Sequence, residues 1–148
     1  MEDLTINKQE NDLTRAEIVK LIAGATQPLN LRGVNLEDID LSDLDLTRAN
    51  LYRAYLPGAN LSGADLTGAN LSQCDLSEAN LSGADLTEAD LSQAHLEEAN
   101  LSGAKLNRAD LTGANFTKAN LSGANFTFAK QDGIELTEAL LTNAFGIK

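Results

Sequence analysis

The sequence predicts an all-β solenoid of square cross-section with an α-helix over its N-terminal end. Three observations carry that expectation: every fifth residue from Leu31 to Phe126 is Leu or Phe, turn-forming pairs follow these residues, and a longer identity period runs at twenty residues.

Residues 1–28 read as a polar tail and a capping helix. Met1 to Asp12 carries Glu2, Asp3, Glu10 and Asp12 with no basic stretch leading into an apolar run, so no secretory signal is expected and the cytoplasm is the expected compartment. Thr14-Arg15-Ala16-Glu17 is a capping box, Leu13 and Ile18 stand at the staple positions, and Gly24 sits where a helix would stop. Ile18, Leu21, Ile22 and Ala25 then share one face at helical spacing, which predicts a helix near 14–23. A solenoid needs such a lid, because its first coil would otherwise expose unpaired edges and an apolar layer.

Residues 29–128 read as five coils. Twenty Leu or Phe residues follow one another at intervals of five, and two positions before each stands a small or aliphatic residue: Leu29, Val34, Ile39 and Leu44, then chiefly alanine. A period of five matches neither the 3.6 of a helix nor the 2.0 of a strand, so the chain must turn once per unit to keep these side chains on one side. Leu56-Pro57-Gly58-Ala59 locates the turn: proline suits its second position and glycine its third, where a type II turn needs φ > 0. Units on one face should resemble each other most, and Ala-Asn-Leu-Ser-Gly recurs identically at 59, 79, 99 and 119. Four units per coil follow, with Leu61, Leu81, Leu101 and Leu121 as one internal stack and coils ~4.8 Å apart.

Residues 129–148 read as a degenerate sixth coil or a C-terminal cap, with a helix over 137–145 as the competing reading. Ile134 and Leu136 keep the register, whereas Gln131 takes a leucine slot. Leu140 and Phe145 fall in the slot before leucine, which elsewhere points outward. They suggest a self-association surface and a homodimer through the C-terminus, or else a plug folded over the end.

The unit Ala-Asn/Asp-Leu-Ser/Thr-X resembles the consensus of the pentapeptide-repeat family over roughly four-fifths of the chain. That resemblance implies a right-handed quadrilateral β-helix; the spacing alone leaves the hand open.

Composition narrows function by exclusion. A net charge of −11 disfavours direct nucleic-acid binding, which requires Lys and Arg against phosphate, and no apolar run approaches a membrane span. Cys74 and His95 are each the sole residue of their type, so no disulfide and no multi-cysteine metal motif is expected, and no cofactor either. Cys74 takes an inward alanine slot and reads as a small buried hydrophobe. The Asn-x-Ser/Thr triplets match the glycosylation sequon but are by-products of the repeat; Asn60, Asn80, Asn100 and Asn120 should form a vertical amide column.

No catalytic constellation emerges, and the chain reads as a non-enzyme. Between Ala54 and Ala104 eight acidic residues occur without a Lys or Arg, and Asp65 with Asp85, and Glu78 with Glu98, align at twenty-residue intervals. Tyr52, Arg53 and Tyr55 form one aromatic and basic cluster of the kind enriched at binding hot spots. The leading expectation is an acidic scaffold that presents a rigid prism to a protein partner. The alternative is a DNA mimic, because some pentapeptide-repeat proteins protect DNA gyrase in that way.

Overall fold

The computed structural model describes residues 13–148. The polar tail read at 1–12 lies outside the described residues. The first element is α1 (Arg15–Gly24), started by Thr14: its hydroxyl accepts from Glu17 N–H, and the Glu17 carboxylate accepts from Thr14 N–H at 2.7 Å. This reciprocal box satisfies two of the helix's free donors. The helix runs one residue further than its pattern predicts. Gly24 is its last residue rather than a left-handed cap, because the chain leaves through Ala25 in an extended conformation, with Ala25 N–H bonded to Ile22 O. Ile18 is fully buried, while Leu13, Ile22 and Leu29 pack partly against the same core.

From Asn30 onward the chain is a solenoid. The residue before each leucine slot forms a parallel bridge to the residue twenty positions on, as in Asn60 with Asn80, Asn80 with Asn100 and Asn100 with Asn120. Among the described residues these bridges stand singly and no continuous strand forms. The reason is the turn after every leucine, which breaks the extended path before a second consecutive pair can be made. Two upward donors and one upward acceptor join each unit to the coil above: Leu61 N–H to Asn80 O at 2.7 Å, Gly63 N–H to Ser82 O at 3.0 Å, and Asn80 N–H back to Ala59 O at 2.8 Å.

Each turn is closed from within, for example by Ala64 N–H to Leu61 O at 3.1 Å. Its third residue has positive φ throughout. Nine of these positions are glycine and fourteen are not, the latter at 54–61°. The second turn residue is never positive, which fits type II and excludes the mirror-image turns. Gly83 (φ 65°) faces open space, so Gly83→Ala tests the backbone alone. The expected result is a loss of about 1 kcal/mol in thermal unfolding, the cost of a Cβ in the left-handed region.

Where Asn or Asp fills the outward slot before the leucine position, it holds the turn that follows. Its side-chain oxygen accepts the N–H two residues on, as Asn60 does from Ser62 at 3.1 Å and Asp65 from Thr67 at 3.0 Å. This is the Asx turn, for which Asn and Asp serve equally. Tyr55 is one of several exceptions, with His95, Lys105 and Lys130 among the others, and here Pro57, two residues later, has no N–H to satisfy. The two departures answer one another.

Inside, leucine and alanine alternate. Leu61, Leu81, Leu101 and Leu121 are fully buried, as are Ala59, Ala79, Ala99 and Ala119. Phe116 and Phe126 meet edge to face, with centroids 6.4 Å apart at 75°. Cys74 is buried too, and its Sγ–H donates to Leu51 O at 2.7 Å. Burial pushes this thiol up to about 12, which keeps it from being a thiolate nucleophile at neutral pH.

The bridged register continues through Asn125 with Phe145, so 137–145 is coil and carries no helix. Ile134, Leu136 and Ala139 hold the repeat pattern, half-buried under no further layer. Gln131 uses its amide in place of packing, donating to Gly146 O at 2.8 Å and accepting from Lys148 N–H at 2.9 Å. Among the described residues no helix is long and apolar enough to cross a membrane.

Candidate protein-interaction surface

Stacking at intervals of twenty turns each outward slot into a vertical column, so a surface property is set column by column. The amide column begins at Asp40: Asn60 Nδ2 donates to Asp40 at 3.3 Å, Asn80 to Asn60 at 3.3 Å, and Asn100 to Asn80 at 3.5 Å. Asn120 stacks above without joining this chain of bonds among the described residues.

Charge follows the same geometry. Lys105 lies 3.0 Å from Asp85, Arg108 3.4 Å from Glu88, Lys118 3.7 Å from Glu98 and Lys130 2.8 Å from Asp110. Every one of these basic residues sits one coil above its acid. The pairs are exposed and weakened by solvent screening, but they divide the acidic belt. Asp85 and Glu98 are paired, whereas Asp65 and Glu78 have no basic group within salt-bridge distance among the described residues. The spacing of twenty that aligns Asp65 with Asp85 also sets Lys105 over Asp85 and Lys118 over Glu98, so the sequence carried this signal.

The Tyr52, Arg53 and Tyr55 cluster is also partly committed internally. Arg32 and Arg53 both lie over the Tyr52 ring, 4.9 and 5.1 Å from its centroid, in a cation–π arrangement. Arg53 Nε donates to Gln73 Oε1 at 2.7 Å, and the Tyr52 hydroxyl reaches the same oxygen at 3.4 Å. Tyr52 is half-buried, leaving Tyr55, 43% exposed, as the open ring. Above it runs an open groove of about 530 Å³ lined by Arg53, Gln73, Gln93, His95, Asn115 and Glu135. His95 is exposed, with Nδ1 3.4 Å from Glu97 Oε1, which also accepts from Asn115 Nδ2 at 2.8 Å. Among the described residues no cluster of His, Cys, Asp or Glu could hold a metal ion.

At the C-terminal rim Leu140 and Phe145 are 57% and 52% exposed, beside Leu141 and Phe128. Leu140 and Phe145 both occupy outward slots, where their backbone bridges to Asn120 and Asn125.

Several turn-holding carboxylates sit below their ordinary range. Hydrogen bonds from Thr47 hold Asp45 down. For Asp85 burial pushes upward, but bonds from Thr87 and Lys105 outweigh it. Lys130 and then Thr112 lower Asp110. A carboxyl depressed in the folded state contributes stability that is complete above its unfolded value, about 3.9, and fades as pH falls through the folded one. Acid should therefore destabilise the protein below about pH 4. The triple change Asp45→Asn, Asp85→Asn, Asp110→Asn should flatten that acid limb in pH-dependent urea unfolding, because asparagine keeps the acceptor without titrating.

Five overlapping stretches, 30–63, 56–93, 64–103, 94–130 and 119–145, match the family described as pentapeptide repeats, in eight copies. The chain belongs to the pentapeptide-repeat family. Among solved structures, a pentapeptide repeat protein from the Arabidopsis thaliana thylakoid lumen is 39% identical with a TM-score of 0.67, covering 68% of this chain and 70% of its own. Rfr23, a pentapeptide repeat protein from the cyanobacterium Cyanothece 51142, is 30% identical with a TM-score of 0.40, covering 86% and 97%. QnrB1, a plasmid-mediated fluoroquinolone resistance protein, is 21% identical with a TM-score of 0.36, covering 78% and 70%. No curated protein matches the chain. The solenoid of this family member thus has a close counterpart in the plant protein.

Proposed function

We propose that this pentapeptide-repeat protein is a non-enzymatic scaffold, a right-handed quadrilateral β-helix capped by α1, whose sides present fixed columns of side chains to a protein partner. The observation that carries this reading is the double duty of the outward slots. Asn and Asp oxygens are spent on their own turns, and many charges on the coil below, so polar groups are held rigidly in place instead of converging on a reacting atom. Rigid, pre-ordered groups lower the cost of association. The contact surface is centred on the open ring of Tyr55, flanked by Tyr52 and Arg53 at one corner and by the unpaired Glu78 and the ion-paired Glu98 at the other, while Asp65 and Asp85 form a separate acidic column half a coil away. The exposed Leu140 and Phe145 rim offers a surface for self-association that the unaltered chain holds in reserve.

A DNA-mimic role finds less support. Lys105 and Lys118 neutralise one member of each aligned acidic pair, which interrupts the unbroken negative columns that imitation of a duplex requires. A supercoiling assay with gyrase should show neither inhibition nor protection.

The scaffold reading is tested by affinity capture from the native host with the intact chain and with Arg53→Ala/Tyr55→Ala/Glu78→Gln. A partner retained by the first, lost by the triple variant and released by salt is the expected result. Equal capture by both, or turnover of a metabolite by the purified chain, would overturn it.

A further inference from the structure

The two ends of the solenoid differ in hydrogen-bonding character. Each unit sends two N–H donors and one C=O acceptor upward, so its lower edge offers the converse, two acceptors and one donor. In the last coil the upward donors of Gln131, Gly133, Leu136, Glu138, Leu141 and Asn143 meet no backbone partner among the described residues. The C-terminal rim is therefore rich in donors and bordered by the exposed side chains of Leu140, Leu141 and Phe145.

At the opposite end the carbonyls of Asp40 and Ser42 occupy the positions that a coil beneath would address through two backbone N–H groups. Arg15, from α1, takes that place: Nη1 donates to Asp40 O at 3.0 Å and Nη2 to Ser42 O at 2.9 Å. The fork of the guanidinium reproduces the two donors of a missing unit. Beside it Ile18 is buried against the coil, and the slots that hold alanine higher up are filled here by the larger Leu29, Val34, Ile39 and Leu44.

We propose that the two ends are complementary and that α1, through Arg15, keeps them apart. With α1 displaced, the acceptor-rich lower edge of one copy seats on the donor-rich rim of another, and the chain extends as a polar, head-to-tail stack. The occupant is a second copy of this chain, because the donor and acceptor count of its first coil is the complement of the rim. Meeting rim to rim would set two donor-rich edges against each other. A head-to-tail contact leaves one rim free at every step, so growth does not stop at a dimer. This inference concerns the ends and is independent of what the sides bind.

Sedimentation velocity on the full chain tests it, with Arg15→Ala as the main variant, Ile18→Asp as a second, and Arg15→Ala/Leu140→Lys/Leu141→Lys as the blocked form. The unaltered chain should remain one species. Arg15→Ala should give a concentration-dependent series that passes beyond the dimer, and the blocked form should return to the monomer. Association that ends at a dimer would indicate rim-to-rim pairing and overturn the proposal, as would both Arg15→Ala and Ile18→Asp staying at the mass of the unaltered chain. Continued growth by the blocked form would remove the rim from the contact. Loss of the solenoid's own far-ultraviolet signal in Arg15→Ala, beyond that of α1, would make Arg15 a support of the fold and not a guard of its edge, which also overturns the proposal.

Discussion

Leu81→Ala is expected to lower the unfolding free energy by about 2–5 kcal/mol, the largest loss of any single truncation considered. Leu81 is fully buried in the middle of a stack, with Leu61 below and Leu101 above, each likewise without exposure. The backbone around it is tied upward and downward by hydrogen bonds at 2.7–3.1 Å, so the coil has little freedom to collapse into the space left. Close-packed interiors turn such a void into lost contacts. Leu136→Ala supplies the comparison, since Leu136 lies in the last coil and is only half-buried. Its truncation should cost about 1 kcal/mol. Urea midpoints of the two variants measure the difference; equal losses would mean that position along the stack does not matter.

Ile18→Asp is expected to release α1 from the first coil. Ile18 is the one fully buried residue of the helix, and a carboxylate there would lose its hydration in an apolar contact. An isolated ten-residue helix is marginal in water even with its capping box, so undocking should unfold it. The far-ultraviolet helical signal should disappear while the solenoid persists, and proteolysis should cut within 15–24 before any coil. Retention of the helical signal would show that docking does not depend on Ile18.

The fold was legible because its rule is local and repeats without interruption. Leucine every fifth residue required a turn per unit, and Pro57-Gly58 named the position that the positive φ angles now occupy. Thr14 and Glu17 announced the helix start in four residues. The absence of continuous strands was less visible: the sequence says where the chain bends, while the number of consecutive bridged residues depends on how much extended path the turns leave. The work done by Asn60 and its equivalents was hidden for another reason. An outward amide every five residues looks like surface decoration until its oxygen is seen on the N–H of Ser62.

The candidate surface was legible only in outline. Asp65, Asp85, Glu78 and Glu98 align as their spacing requires, and the same spacing brings Lys105 and Lys118 over two of them, close enough to pair. Arg32, Tyr52 and Arg53 interlock across two coils, which turns a cluster of contiguous letters into a partly closed stack. Arg15 gave no signal in the chain, since its contacts are with the backbone of residues 40 and 42.

The Asx turn separates shape from charge. Its acceptor oxygen is supplied equally by an amide or an acid, and seven of the outward slots hold aspartate: 40, 45, 65, 75, 85, 90 and 110. Exchanging all seven for asparagine would take the net charge from −11 to −4 while every turn kept its acceptor. The isoelectric point, and with it colloidal behaviour and diffusional encounter rates, can therefore drift across relatives or be dialled by an engineer on an unchanged scaffold.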